Sequence, residues 1–411
     1  MVFRYLNRPR GGSSSSAFYD FSLGSLPAGV TLTRASSGYR YNSSGVLVSE
    51  TTNVARFDYA PVALTARGLL IEGAATNNAQ RSEEIDNAYW TKTRATVTAN
   101  GAVAPDGTTT MDQVVEDTST NSHFVSITPA FNSGTAYAIS FYAKAAGRNF
   151  VLLQLPSSGF VTTRDNYFNL GTGALGTAGA GCTNFIQNVG GGIYRCTVIA
   201  TATATTAAGL TVFAAATADG TASYTGDGAS GFYLWGVTVV ADTFPFLTSY
   251  IQTTSAAATR AVDVALITNA SAISDQCWII RGRTPRSPSF GPGKVIFVID
   301  DGTNANTRSV YYYNQRFYVQ ATVANVLNCN IDLGAYAVDT DFTISVRWAD
   351  NNFAASLNGG PIVTDLIGTN PIGLTTARLG RSVSGDYWNS TIKTIETRRT
   401  ATNAELPLLS A

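Results

Sequence analysis

The chain is poor in charge, histidine and sulfur. Of its 411 residues, 13% are charged, one is histidine, four are cysteine and two are methionine. An average soluble domain carries about 25% charged residues, so roughly half the usual charge is missing. Lys+Arg and Asp+Glu both number 27, so no net positive field exists to hold a phosphate backbone, which argues against nucleic-acid binding. With only His123, multi-histidine metal sites are excluded and any histidine-dependent catalytic triad rests on that one residue. Long helices are disfavoured too, because Lys, Glu and Gln are scarce beside Thr, Val, Tyr and Gly.

Other absences narrow the class further. The first ten residues have no apolar core of the kind a secretory leader needs, so synthesis and folding in a reducing bacterial cytoplasm are expected. Residues 196–218 carry no charge, yet threonines alternate along them and Gly209 interrupts them. That period of two predicts strands with one wet face, and no membrane insertion. Cys182 and Cys196 flank Asn188-Val-Gly-Gly-Gly192, a hairpin turn that leaves open either a disulfide or two buried thiols. Cys277 and Cys329 have no metal-ligand spacing.

What is present is β structure: 45% apolar residues, 11% aromatics, and short alternating runs divided by turns. The fold class expected is all-β, with tandem antiparallel β-sandwiches. Residues 1–16 read as a flexible peptide, with Arg4, Arg8 and Arg10 ahead of a Gly/Ser run, suited to anchoring. Residues 17–78 read as a small β segment and 79–253 as one sandwich of jelly-roll size. Thr253–Ala261 reads as a joint of low information, and 254–411 as a second sandwich. Asn358-Gly-Gly360 is the strongest hairpin signal, and Asn403–Leu409 a helical turn.

Several short motifs occur in a fixed order. They are Gly68-Leu-Leu-Ile-Glu-Gly-Ala-Ala-Thr-Asn77, Asn87-Ala-Tyr-Trp-Thr91, Ala104-Pro-Asp-Gly-Thr108, Tyr142-Ala-Lys144, Leu234-Trp-Gly236, Thr248-Ser-Tyr-Ile251 and Thr259-Arg260. Together they resemble bacteriophage or prophage fibre and spike proteins, including those of gene transfer agents. The middle of the chain is similar to that family's carbohydrate-binding-module-like jelly roll. The C-terminal part, with Phe353-Ala-Ala-Ser-Leu-Asn-Gly-Gly360, Arg378-Leu-Gly380 and Ala404-Glu-Leu406, is similar to concanavalin A/laminin-G-like sandwiches. The resemblance implies a location on the virion surface, attachment to other virion proteins through the N-terminus, homo-oligomerisation, and host surface polysaccharide as the ligand.

No cofactor and no metal are called for, and catalysis is not expected. The adjacent acids Glu83-Glu84, Glu116-Asp117 and Asp300-Asp301 read as solvated turns rather than the spaced carboxylate pair a glycosidase needs. Asp300–Asn306 lacks the spacing of a calcium loop. His123 reads as a loop residue. Sugar recognition requires an aromatic face beside hydrogen-bonding groups, and three loops offer both. The candidates are Asp386, Tyr387 and Trp388, then Arg164 and Asp165, then Tyr224 and Asp227. Trp388 also suits a sandwich-edge core position, while Trp235, Trp278 and Trp348 read as core. Tyr311-Tyr-Tyr313 must turn at least one ring outward. A spacer without a ligand, and a polysaccharide hydrolase, are the rival readings.

Overall fold

A computed structural model describes residues 15–160, 162, 164–242, 248–268, 276–286 and 293–411. The anchoring candidates Arg4, Arg8 and Arg10 lie outside the described residues.

The protein is all-β, built of two antiparallel sandwiches. In the first, one sheet runs in the spatial order Thr183–Gly190, Ile193–Thr201, Ala136–Ala146, Gly231–Asp242, Met111–Glu116, Ala95–Ala102. The other runs Ala174–Leu175, Arg164–Asn169, Phe150–Leu155, Thr211–Ala216, Phe124–Ile127, Thr91–Thr93. Between them lie Trp90, Phe141, Leu153, Phe168, Phe213 and Phe232, all fully or almost fully buried. Alternation explains why these strands form and which side each ring takes, since successive side chains point to opposite faces.

The second sandwich draws on both ends of the chain. One sheet runs Val363–Asp365, Phe353–Leu357, Asp341–Arg347, Cys277–Arg283, Ser390–Arg398, Ala66–Ile71, Phe57–Tyr59, with Ser15–Asp20 also paired to Ser390–Arg398. The opposite sheet runs Val30–Thr33, Val264–Ile267, Thr376–Leu379, Lys294–Asp300, Thr307–Tyr313, Arg316–Val323, Val326–Ala335. Strands of residues 17–78 join both sheets of the second sandwich, while Gly38–Tyr41 and Leu47–Glu50 form a hairpin of their own and Ala75–Asn77 pairs with Gly231–Asp242 of the first. Phe21, Leu69 and Ile71 share the second sandwich's core with Trp278, Phe297, Trp348 and Ile395. The first sandwich is in effect inserted into the second.

The glycine turn after Asn188 forms a hairpin, with φ of +96°, +62° and +75° at Gly190, Gly191 and Gly192. Its register places Ile186, not Cys182, opposite Cys196, and both thiols are free. The threonine-bearing strand Ile193–Thr201 is covered on both faces rather than wet on one. Cys196 and Val198 face the sandwich core. Ile193 belongs to a second cluster with Tyr41, Leu47, Tyr142, Trp235 and Tyr250, which joins the first sandwich to the Gly38–Tyr41/Leu47–Glu50 hairpin. Asn403–Glu405 and Leu406–Ser410 form the expected helical turn, closed by reciprocal capping between Thr402 and Glu405. Among the described residues no helix is long and apolar enough to cross a membrane.

The seam between the sandwiches is polar and closed to water. Arg34, Arg56, Glu72, Arg260 and Asp263 are at most 2% exposed. Asp263 takes Arg34 at 3.1 Å and Arg56 at 2.5 Å; Glu72 takes Arg56 at 2.6 Å and Arg260 at 3.1 Å. Ser249 adds its amide and hydroxyl to the Glu72 carboxylate, both at 2.7 Å. Thr253–Ala261 is no bland joint, since it contains a strand, Ala258–Arg260, and delivers Arg260 to this network. Asn77 pins the same seam from the other side, its amide donating to the carbonyls of Val237 and Ile251.

Candidate functional site

The residues singled out as sugar contacts are mostly committed elsewhere. Trp388 is fully buried, its ring edge-on to Tyr312 and Phe342 and its indole N–H donated to the Thr391 carbonyl at 3.2 Å. It is a core residue because the chain returns inward there: the Trp388 amide donates to the Gly380 carbonyl, and Gly73 donates to the Asn389 side chain. Asp386 accepts from the hydroxyls of Ser382 and Ser384 at 2.8 and 3.1 Å, which closes its own loop. Tyr387 is half-buried, with the Arg381 guanidinium 5.7 Å from its ring centre. Arg164 donates to the Ala180 carbonyl and lies over Phe160, and Asp165 accepts from Gln154.

Tyr224 and Asp227 do meet, around a buried acid. The Tyr224 hydroxyl donates to Glu116 at 2.6 Å, and Arg148 forks onto Glu116 while reaching Asp227 at 3.3 Å. Glu116 is 2% exposed, so it is not the solvated turn residue its position implies. Burial works to raise its carboxyl, and the Arg148 and Tyr224 hydrogen bonds outweigh that and lower it. His123 is likewise buried, each ring nitrogen against a carbonyl oxygen, Arg94 at 2.9 Å and Tyr224 at 3.3 Å. The buried groups here are paired with one another, so the cluster fastens strands together. Asp300, also read as a solvated turn, is fully buried and held by Arg378 at 2.6 Å. Tyr312 points inward while Tyr311 stacks on Tyr318 at 5.2 Å and Tyr313 is exposed, as alternation requires.

The hollow with unspent chemistry lies at the seam. A cleft of about 670 Å³, counting its open mouth, is lined from both sandwiches. Tyr142, Gln187, Arg195 and Tyr250 come from the first; Asp58, Arg67, Arg283, Arg286, Asp339 and Asn389 come from the second, and Tyr39 and Tyr41 from the Gly38–Tyr41/Leu47–Glu50 hairpin. Its floor is aromatic: Tyr250 packs edge-on to Tyr39 at 5.0 Å and tilted against Trp235 at 4.8 Å, and Tyr142 meets Trp235 at 5.4 Å. Tyr39 is only half-buried, and its hydroxyl donates to Gln252 at 3.0 Å. Burial first, then the nearby acids Glu83 and Asp106, push its phenol up to about 12, so it stays a neutral donor.

The walls are arginine. Arg283 and Arg286 share Asp339, at 2.7 and 2.5 Å, and Arg286 also donates to Gln187 of the other sandwich. Arg67 reaches Asp58 at 3.4 Å. Burial pushes the Asp58 carboxyl up, against Arg67 and the Tyr41 amide, which hold it down. Among the described residues no group of histidine, cysteine, aspartate or glutamate could hold a metal ion. The sequence reading missed this cleft because its residues come from positions 39 to 391 and no local pattern joins them. The ordered motifs were its only trace: Tyr142, Leu234-Trp-Gly236, Thr248–Ile251 and Arg260 all lie at or beside it. Gly236, at φ +63°, is needed there, since a Cβ would sit 2.8 Å from the Tyr142 ring.

No protein-family model matches the sequence, and neither does any curated protein. Among solved structures, the chain is similar to the carbohydrate-binding module CBM40 of the Ruminococcus gnavus IT-sialidase. The complex with alpha2,6 sialyllactose is 13% identical, covers 34% of this chain and 84% of that one, and has a TM-score of 0.28. For the complex with alpha2,3 sialyllactose the identity is 14%, with the same coverage and TM-score. Domains LG4-5 of the mouse laminin alpha1 chain are 9% identical over 71% of this chain and 92% of that one, with a TM-score of 0.24. The fold described above rests on the strand pairings themselves.

Proposed function

We propose that the protein is a non-enzymatic appendage of a phage or phage-like particle that binds host surface polysaccharide in the cleft between its sandwiches. The observation that carries the sugar-binding part is the cleft itself, an open hollow with an aromatic floor and donor-rich walls. A sugar ring presents an apolar face that suits Tyr39 and hydroxyls that suit guanidinium and amide groups. The walls come from two rigid sandwiches tied by buried ion pairs, so little ordering is required on binding.

The ordered motifs support the virion part, with residues 1–16 assigned to docking on other virion proteins. Self-association is supported by an aliphatic surface on the second sandwich, where Val326, Leu327, Leu366, Ile367 and Ile372 stand 49–87% exposed. Several weak sites on one particle then act together. Against catalysis stand the carboxylates of the cleft: Glu72 and Asp339 are each held by two guanidiniums, and Asp58 has no free carboxylate partner there.

The test is a glycan array with the full chain and with Tyr39→Ala, alongside release of reducing ends from any polysaccharide bound. Binding lost at least tenfold in Tyr39→Ala, without reducing ends, is expected. No binding to any host surface sugar would leave a spacer, and reducing ends abolished by Asp58→Asn would make it a hydrolase. Immunogold labelling of purified particles tests the virion location separately.

A further inference from the structure

We propose that the cleft selects saccharides that carry carboxylate groups over neutral ones; this rests on its being the sugar site. Five arginines line the cleft, at 40, 67, 195, 283 and 286, beside three carboxylates, Asp58, Glu72 and Asp339.

The excess is concentrated at one point. Arg195 is 7% exposed and forms no ion pair among the described residues; its only hydrogen bonds go to neutral oxygens, Ser140 Oγ at 3.1 Å and the Thr248 carbonyl at 2.7 Å. Its guanidinium lies 5.6 Å from the Tyr142 ring centre, and its Nε has no partner. Arg286 must divide Asp339 with Arg283, and its other acceptor is the neutral Gln187 amide. Burial lowers Arg286, Asp339 opposes this, and repulsion from Arg67 and Arg195 adds to it, so these guanidiniums sense one another across the cleft.

An anionic group entering the cleft relieves that repulsion, whereas a hydroxyl does not. Guanidinium is a donor only, so these arginines favour an acceptor-only partner. In a partly desolvated site such a charge-assisted contact is about twice as strong as a neutral one. Arginine is suited to this because its charge persists under burial.

The experiment is calorimetric titration of the full chain with oligogalacturonate and oligomannuronate, each beside its methyl ester, which keeps the ring and removes the charge. The acids should bind at least tenfold more tightly than their esters, with the difference shrinking as sodium chloride rises. Arg195→Gln should erase the preference. Because that site is buried, the half-buried Arg67→Gln provides a second variant, expected to reduce the preference severalfold with the circular dichroism spectrum unchanged. Equal affinity for acid and ester, or binding of neutral glycans but of neither acid, overturns the charge selection alone. No binding of any saccharide, on the array or in titration, overturns the sugar reading with it.

Discussion

Arg56 and Asp263 are 207 residues apart in the chain and 2.5 Å apart in the fold, and both side chains are wholly out of water. The second oxygen of the same carboxylate holds Arg34 at 3.1 Å. Asp263 is thus shared by two buried guanidiniums that flank the N-terminal strands Val30–Thr33 and Phe57–Tyr59, and through Arg56 it is linked to Glu72 and the first sandwich.

Removing that charge should be expensive. Asp263→Asn leaves Arg34 and part of Arg56 unpaired in the interior, at a cost of about 3–5 kcal/mol. The urea midpoint of the full chain is the readout; a change below about 1 kcal/mol would mean that water enters the seam.

Acid should loosen the same seam. Burial raises the Glu72 carboxyl, but Arg260 and Arg56, with the Ser249 hydrogen bonds, bring it down to about 2 from an ordinary 4.5. Between those two values the unfolded chain binds a proton that the folded chain refuses, so this contribution is full above pH 4.5 and lost as pH falls toward 2. It amounts to about 3 kcal/mol. Denaturant midpoints measured from pH 7 to pH 2.5 should fall more steeply for the parent protein than for Glu72→Gln. Parallel curves would contradict this.

Trp388 separates core from site. Trp388→Ala should cost about 3–5 kcal/mol, as other buried aromatic truncations do. Trp388→Phe should keep saccharide affinity within twofold of the parent. A large affinity loss in a well-folded Trp388→Phe would return the loop to the binding surface.

The two-ended sandwich predicts how fragments behave. Residues 254–411 alone lack the strands Val30–Thr33, Phe57–Tyr59 and Ala66–Ile71 and the core side chains Phe21, Leu69 and Ile71, so they should be aggregated or unfolded. Co-expression with residues 15–77 should restore a soluble complex. A 254–411 fragment with dispersed amide signals and cooperative melting would show that the N-terminal strands are dispensable.

These elements also show what was legible in the sequence. Strands such as Phe150–Leu155 and Arg316–Val323, the hairpin turn at Asn188 and the helical turn at Asn403 are written in local alternation, glycine placement and capping, and the structure has them. Pairing of Ser15–Asp20 with Ser390–Arg398 is not local, and no pattern within either strand specifies it. Buried charge was invisible for a related reason. Glu116, Asp300 and Arg260 look like surface residues until a distant partner makes burial tolerable. The Asp386-Tyr387-Trp388 loop misled because an aromatic beside an acid suits an exposed sugar site and a capped, inward-turning loop equally well.

The pairing of Ser390–Arg398 with both Ser15–Asp20 and Ala66–Ile71 also sets an order of events on the ribosome. Residues 79–242 are contiguous and can close their sandwich as soon as they emerge. Ser15–Asp20 and the free edge of Ala66–Ile71 cannot, because their partner Ser390–Arg398 is among the last to be made. With synthesis at about 5–20 residues per second, they wait roughly 15–60 seconds with sheet edges unpaired. A stop codon a few residues before Ser390 should leave those edges open for good.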